Sequence, residues 1–300
     1  VSESLSTNEI KERLNGPVNS IPTPFLADGQ IDMDGFRNII EVGISGGSGV
    51  SLLTYGDSQF DHLSDDEVTE LTRSLVDQTA GRALTVAATR RWNNTKAVEF
   101  AHFCKEIGTD ILMVLPSDHA LPQGKITHYR EIADVMPLML VGWPPHEILD
   151  ALVDHPNICS FKEDGAVDYA PDTMQKYSPY WRFMTGGGLW RNYTQWPWNP
   201  AYFSFFSSFA PHVSAEYWAA YQRKDAERAG TIIREIEKPF TSLATQVGGQ
   251  FQALWRAAFE LNGISARYLR APMVSATDAE MEMLKGSLET LGLITHPLST

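Results

Sequence analysis

Lys162 directly follows Ile158-Cys159-Ser160-Phe161, so an amine is carried at the end of an apolar run. An ammonium is costly in such surroundings, and burial drives it toward the neutral amine. A neutral amine attacks ketones and aldehydes, and the resulting iminium draws electrons from bonds alpha to that carbon. The competing reading is a strand-end lysine that snorkels to solvent or pairs with Glu163. Other chemistry-bearing residues are sparser. Arg90 and Arg91 could clamp an anion through bidentate donors, although loop arginines are more often solvated. Gly186-Gly187-Gly188 would let a ligand approach the backbone closely, as in phosphate-binding barrels. Cys104 and Cys159 fall in helical and strand patterns and read as small buried hydrophobes. The eight histidines show no ligand pairing at helical spacing, so no metal is expected.

These residues sit within an alternation of short apolar runs and longer segments of helical period. The runs cover 18–25, 49–56, 83–90, 110–116, 137–145, 158–163, 182–187 and 201–209. They are nearly continuously apolar, as expected of strands buried on both faces of a parallel sheet. Several of the intervening segments begin with an acid-rich first turn after Ser, Asp or Asn, and glycines such as Gly81 and Gly108 suit left-handed helix caps. An eightfold strand–helix alternation predicts a TIM (β/α)8 barrel over 1–212, and 213–300 reads as a helical extension packed beside it. The alternative is an open doubly wound sheet, but the first strand lacks that fold's Gly-rich phosphate loop. In such a barrel the chemistry gathers where strands end, which focuses attention on Thr23, the stretch 55–58, Asp118, Trp143, Lys162, Gly187 and Ser204.

The chain has 300 residues, 43% of them hydrophobic, enough for one large domain with a full core. Its formal net charge of -13 disfavours nucleic acid and anionic membranes as partners. Two cysteines make no disulfide framework and the opening VSESLSTNEIKERL has no signal-peptide layout, so a reduced cytoplasmic setting is expected. No apolar stretch is long enough to span a membrane.

Several segments carry a resemblance in the right order. Ile21-Pro22-Thr23-Pro24-Phe25 with Asp28-Gly29 and Asp32, then Leu63-Ser64-Asp65-Asp66-Glu67, Asn93-Asn94-Thr95, Phe161-Lys162-Glu163 and Leu269-Arg270-Ala271-Pro272 together resemble the dihydrodipicolinate synthase/N-acetylneuraminate lyase family. The likeness spans about residues 16–295. It implies a barrel with a three-helix extension, a homo-oligomer (tetramer or dimer), and class I aldolase chemistry on 2-oxo acids. It also implies Lys162 as the Schiff-base former, with no cofactor beyond that covalent link.

The chain departs from the family pattern at the residues around the lysine. The family's carboxylate-binding GTTGE loop reads Tyr55-Gly56-Asp57-Ser58-Gln59 here, and an anionic Asp57 would repel a substrate carboxylate unless protonated or paired. Val141 stands where the family's strand-five tyrosine relays protons, Pro116-Ser117-Asp118 replaces a PYY, and His146 takes the place of an arginine. Proton transfer then falls to Tyr55, Asp57, Asp118, His119 or His146, with Tyr55 the foremost. Trp143 and the aromatics of 202–206 would suit an apolar or aromatic substrate, although strand-eight aromatics are more often core. The expectation is therefore a Schiff-base lyase of aldolase or hydratase-aldolase type acting on a small carbonyl compound other than simple pyruvate. Lys162 and Tyr55 are its catalytic residues, and Thr23, Gly56, Asp57, Ser58, Asp118, Trp143, Gly187 and Ser204 bind substrate. The alternative is a barrel that binds a small molecule and has lost catalysis.

Overall fold

A computed structural model describes residues 5–165, 168–248 and 250–295. Strands β1 (Gly16–Ser20), β2 (Val50–Leu52), β3 (Leu84–Ala88), β4 (Ile111–Met113), β5 (Leu138–Gly142), β6 (Ile158–Glu163), β7 (Arg182–Thr185) and β8 (Ala201–Phe203) close into a parallel barrel in chain order. Closure runs through Gly16↔Ala201 on one side of β1 and Val18↔Val50 on the other. Every residue of β1 to β4, β6 and β8 is buried, which is why these strands read as continuous apolar runs. The strands are shorter than the runs. The run 49–56 yields only Val50–Leu52 because the chain then curls into a loop, and after β8 the aromatic run becomes a 3-10 turn at Phe205–Ser208.

The helices between strands are α2 (Met33–Ser45), α3 (Asp65–Thr79), α4 (Asn94–Ile107), α5 (Pro122–Ala133), α6 (His146–Asp150), α7 (Tyr169–Tyr177) and α8 (Gly188–Thr194), with α1 (Thr7–Arg13) preceding β1. Local chemistry sets their ends. Ser64 accepts from the Glu67 backbone N–H while Glu67 caps Ser64 in return, and Asp32 and Asn93 cap α2 and α4. Gly108 closes α4 at φ 86°, as its type suggests. At the end of α3 the left-handed cap is instead Ala80, at φ 48°, with Gly81 following.

Beyond β8 lie α9 (Pro211–Arg223), α10 (Ala226–Ile232), a π-helical turn at Ile233–Glu237 leading into α11 (Lys238–Ser242), then α12 (Phe251–Leu261) and α13 (Asp278–Thr290). The expected boundary at 212 falls inside α9. This helix lies on the barrel wall: Tyr202 donates its hydroxyl to the Ser214 carbonyl at 2.9 Å, and the Trp218 ring packs so closely on Gly16 that a Cβ there would stand 3.3 Å from it. Among the described residues no helix is long and apolar enough to cross a membrane.

Arg270 fastens the segment between α12 and α13 to the barrel. Its guanidinium takes both Glu67 oxygens at 2.8 and 2.9 Å and donates to the Gly29 and His62 carbonyls. Both side chains are about three-quarters buried, so solvent screens the pair less than it screens the exposed Arg37–Asp34 pair. Arg270→Ala should cost about 1–3 kcal/mol in urea unfolding, and Arg37→Ala no more than about 0.5 kcal/mol. Arg270 holds the Glu67 carboxyl below its ordinary range. A depressed carboxyl stabilises the fold above its unfolded pKa and loses that contribution as pH falls through the folded value. The gap between wild type and Arg270→Ala should therefore be full at neutral pH and shrink in acid.

Candidate active site

Along β6, Phe161 and Glu163 face outward: the Phe161 ring meets Trp181, just before β7, at 6.3 Å, and Glu163 takes Arg191 of α8 at 2.9 Å. Alternation then turns Lys162 into the barrel lumen. Lys162 is 7% exposed and pairs in register with Val141 on β5 and Met184 on β7. Its amine does not meet Glu163, the partner named by the competing sequence reading. It donates instead to both oxygens of Asp164, at 2.7 and 2.6 Å. Burial of the amine is as expected, but a counter-ion lies against it. Val141 beside it confirms that the adjoining strand offers no hydroxyl at this level.

The loop 54–59 is tied down by its own polar groups. Ser58 donates its hydroxyl to the Ile21 carbonyl at 2.6 Å and accepts from the Thr54 N–H, while Thr23 donates to the Ser58 carbonyl at 2.6 Å. Thr23 and Ser58, expected to touch substrate, thus spend their hydroxyls on loop geometry. Gly56 is exposed at the turn, where its carbonyl accepts from the Gln59 N–H. Gln59 adopts a left-handed conformation at φ 57°, unfavourable for a residue with a Cβ, and Arg256 holds its side-chain oxygen at 2.9 Å. Asp57 turns inward and accepts from the Ser20 hydroxyl at 3.1 Å. The residue as a whole is half-buried, and its carboxyl is enclosed. Burial pushes that carboxyl above its ordinary range, against the pull of Lys162 and the Ser20 hydrogen bond, and Asp164 adds to the push.

A cavity of about 430 Å³ opens beside this cluster. Leu115, Tyr129, Val141, Trp143 and Ile148 make its apolar wall, and Arg91, Asp118 and Lys125 its polar rim. Asp164 also lines it. Trp143 is 66% exposed, so its indole is available to a ligand. Asp118 pairs with Arg91 at 3.0 Å. Tyr55 does not direct its hydroxyl to the amine: the hydroxyl donates to Asp61, and its ring stacks beneath the Arg91 guanidinium at 4.5 Å. Burial and Asp61 both raise its pKa, which makes the phenol a poorer acid. His119 is exposed. His146, half-buried at the start of α6, bonds Thr173 at 3.0 Å and packs against Tyr169 and Tyr177.

The glycine triplet serves carboxylates of the chain itself. A Cβ on Gly186 would fall 1.6 Å from an Asp164 oxygen, and one on Gly188 would fall 2.5 Å from a Glu237 oxygen. Glu237 accepts from the Leu189 and Trp190 N–H groups, filling the start of α8, and Gly187 is that helix's left-handed N-cap. Arg90 donates to the Leu63 carbonyl and Asp65, so it supports α3. Ser204 is buried against Ser214 at 2.7 Å, and the aromatics around it pack on Trp255 and Phe240 as core. Burial pushes the Cys159 thiol up to about 11 and the Cys104 thiol further, which suits packing residues. Among the described residues no group of His, Cys, Asp and Glu gathers as a metal site.

Lys162, Asp57, Asp118 and Trp143 therefore belong to one site region, while Gly187 and Ser204 serve neighbouring elements. Ser20, Asp164 and Arg256 were missed by sequence reasoning. Asp164 had a usable signal, because positions i and i+2 of a strand share a face. Ser20 and Arg256 had none, since nothing local marks a serine or a helical arginine as facing a residue far along the chain.

The comparisons agree with this architecture. The sequence model of the Dihydrodipicolinate synthetase family matches residues 13–291. A "Probable 5-dehydro-4-deoxyglucarate dehydratase 2" of Streptomyces avermitilis is 29% identical, with 95% of this chain and 91% of the relative covered. A 4-hydroxy-tetrahydrodipicolinate synthase of Xanthomonas campestris is 30% identical over 50% of this chain and 53% of its own. Among solved structures, dihydrodipicolinate synthase from Bacillus clausii superposes with a TM-score of 0.83 at 20% identity, covering 95% of this chain and all (100%) of that one. N-acetylneuraminate lyase from Mycoplasma synoviae gives 0.81 at 19% identity, covering 94% and 98%. These two structures speak to the fold, and the match across 13–291 speaks to descent: the chain belongs to the dihydrodipicolinate synthetase family.

Proposed function

We propose that this protein is a carbon–carbon or carbon–oxygen lyase that forms a Schiff base between Lys162 Nζ and a small carbonyl compound. The observation that carries the reading is the placement of the amine. It lies on the lumen face at the C-terminal end of β6, beside an Asp164 carboxylate that borders the 430 Å³ cavity. An amine so placed can attack a carbonyl carbon admitted through the cavity, and the iminium then weakens bonds at the neighbouring carbon. The family relatives are named as dehydratases, synthases and lyases, which supports a lyase as the enzyme class.

The substrate is a carbonyl compound other than simple pyruvate. Asp57 and Asp164 both lie near the amine, and the Thr23 and Ser58 hydroxyls expected to touch substrate are engaged elsewhere. The apolar wall around Trp143 offers room for a substituent larger than methyl. A homo-oligomeric state (dimer or tetramer) and a cytoplasmic setting belong to the same reading.

The test is reductive trapping. Protein incubated with 2-oxo acids, hydroxyketones and aldehydes, then treated with borohydride, should gain the mass of one reduced adduct on the peptide containing Lys162. Absence of any adduct across such a panel would sink the Schiff-base reading and favour a barrel that only binds.

A further inference from the structure

A Schiff-base lyase has to move protons at four places: the ammonium, the carbonyl oxygen, the carbon alpha to the iminium and the departing group. The residues nearest to hand are largely spoken for. Val141 faces Lys162 in register and has no proton to exchange. The Tyr55 hydroxyl is held by Asp61, Asp118 pairs with Arg91 on the rim, and His146 bonds Thr173.

Asp164 differs from all of these. Both its oxygens touch Lys162 Nζ, and its side chain, 28% exposed, is also part of the cavity wall. It is the one carboxylate among the described residues that touches the amine and the cavity together. A second observation shows that the fold makes room for it there. A Cβ at Gly186 would stand 1.6 Å from Asp164 Oδ1 and 2.9 Å from Lys162 Nζ, so only glycine leaves this carboxylate its seat over the amine. Gly186 is absent from the positive-φ glycines, so its backbone does not itself demand glycine; the space does.

We propose that Asp164 is the general acid–base of the reaction at Lys162, a catalytic residue that takes over the proton transfers for which strand five here offers no hydroxyl. The proposal rests on the Schiff-base reading above. Transfer of an ammonium proton to Asp164 frees the amine lone pair, which bonds to the carbonyl carbon. The acid then protonates the former carbonyl oxygen. A second N–H proton passes through the carboxylate to that hydroxyl, which leaves as water. Ammonium and carbonyl have become iminium and one water, and Asp164 is again a carboxylate. It next removes a proton from the alpha carbon, which lies about 2.5 Å from the nitrogen by ordinary bond lengths. An oxygen already 2.6–2.7 Å from that nitrogen reaches it with a small rotation. The enamine pair then expels a beta hydroxyl, to which Asp164 returns the proton, so a C–O bond breaks and a second water departs. In a carbon–carbon lyase the same carboxylate takes the beta-hydroxyl proton instead.

The experiment measures two steps separately in the full chain. Wild type and Asp164→Asn are incubated in D2O with 2-oxobutanoate, hydroxyacetone or glycolaldehyde. Deuterium uptake at the alpha carbon is followed by NMR, and borohydride trapping reports the adduct. Wild type should form the Lys162 adduct and exchange alpha hydrogens. Asp164→Asn should still form the adduct on long incubation, with exchange lowered at least about a hundredfold, as for loss of a general base. Exchange in Asp164→Asn within threefold of wild type, with the adduct present, overturns the role of Asp164 and leaves the Schiff-base reading standing. No adduct in wild type overturns both. Should Asp164→Asn fail to fold, Asp164→Glu decides. Exchange at least tenfold above background with a shifted pH profile supports the proposal; exchange at background from a folded, trappable protein overturns it.

Discussion

Lys162→Ala should lower turnover at least about a thousandfold, more than about 4 kcal/mol of barrier, and abolish the borohydride adduct. The size follows from the chemistry. Without the amine no iminium forms, and no neighbouring group can replace it: Asp164, Asp57 and Ser20 are oxygen groups that cannot make a cationic electron sink. The fold should survive. The Asp164 carboxylate that loses its partner is 28% exposed and borders the cavity, so water can solvate it in place of the ammonium. Wild type and variant should therefore give the same circular dichroism and melt within a few degrees of each other. Turnover within tenfold of wild type would show that the chemistry runs elsewhere.

The largest expected effect on stability is at Arg256. Its guanidinium is wholly buried on α12, donating to the Thr23 carbonyl and the Gln59 side chain at 2.9 Å and to Gln252 at 3.1 Å. Burial pulls its pKa down to about 9, and the nearby Asp57 pulls the other way. Arg256→Ala would leave a void, an unpaired buried carbonyl and an Asp57 carboxyl with one nearby cation fewer. It would also release Gln59 from its left-handed backbone. Removing one partner of a buried charged network costs about 3–5 kcal/mol. Urea unfolding should show a loss of that order, together with weaker substrate binding from the loosened 54–59 loop. Arg256→Met fills most of the volume without burying a charge and should recover part of the loss. A change below about 1 kcal/mol for Arg256→Ala would mean that the loop holds itself.

The barrel was legible because its signal is repeated. Eight buried strands each leave an apolar run, and each intervening helix carries its own period and cap, as at Ser64–Glu67 and Gly108. Strand ends were less legible. The run 201–209 continues to look like a strand where the chain has already turned into a 3-10 segment, because apolar packing on Trp255 and Phe240 demands the same residues either way. The boundary at 212 was placed within α9 for a similar reason, since a helix on the barrel wall and a helix beside it share one pattern.

Taken alone, the sequence determines the barrel, the family and the position of an inward lysine at the end of β6. Each of these is written in local periodicity or in an ordered set of short motifs, which survive without knowledge of any neighbour. Tertiary structure alone decides what surrounds the amine. It turns the Tyr55 hydroxyl to Asp61, the Asp57 carboxyl to Ser20, and both oxygens of Asp164 to Lys162. It also brings Arg256 to Gln59 across 197 positions of chain and gives Gly186 its purpose as room for a carboxylate. The reason is physical. A side chain's rotamer and partner are chosen by space and charge contributed from other strands' ends, and those groups meet only once the barrel has closed.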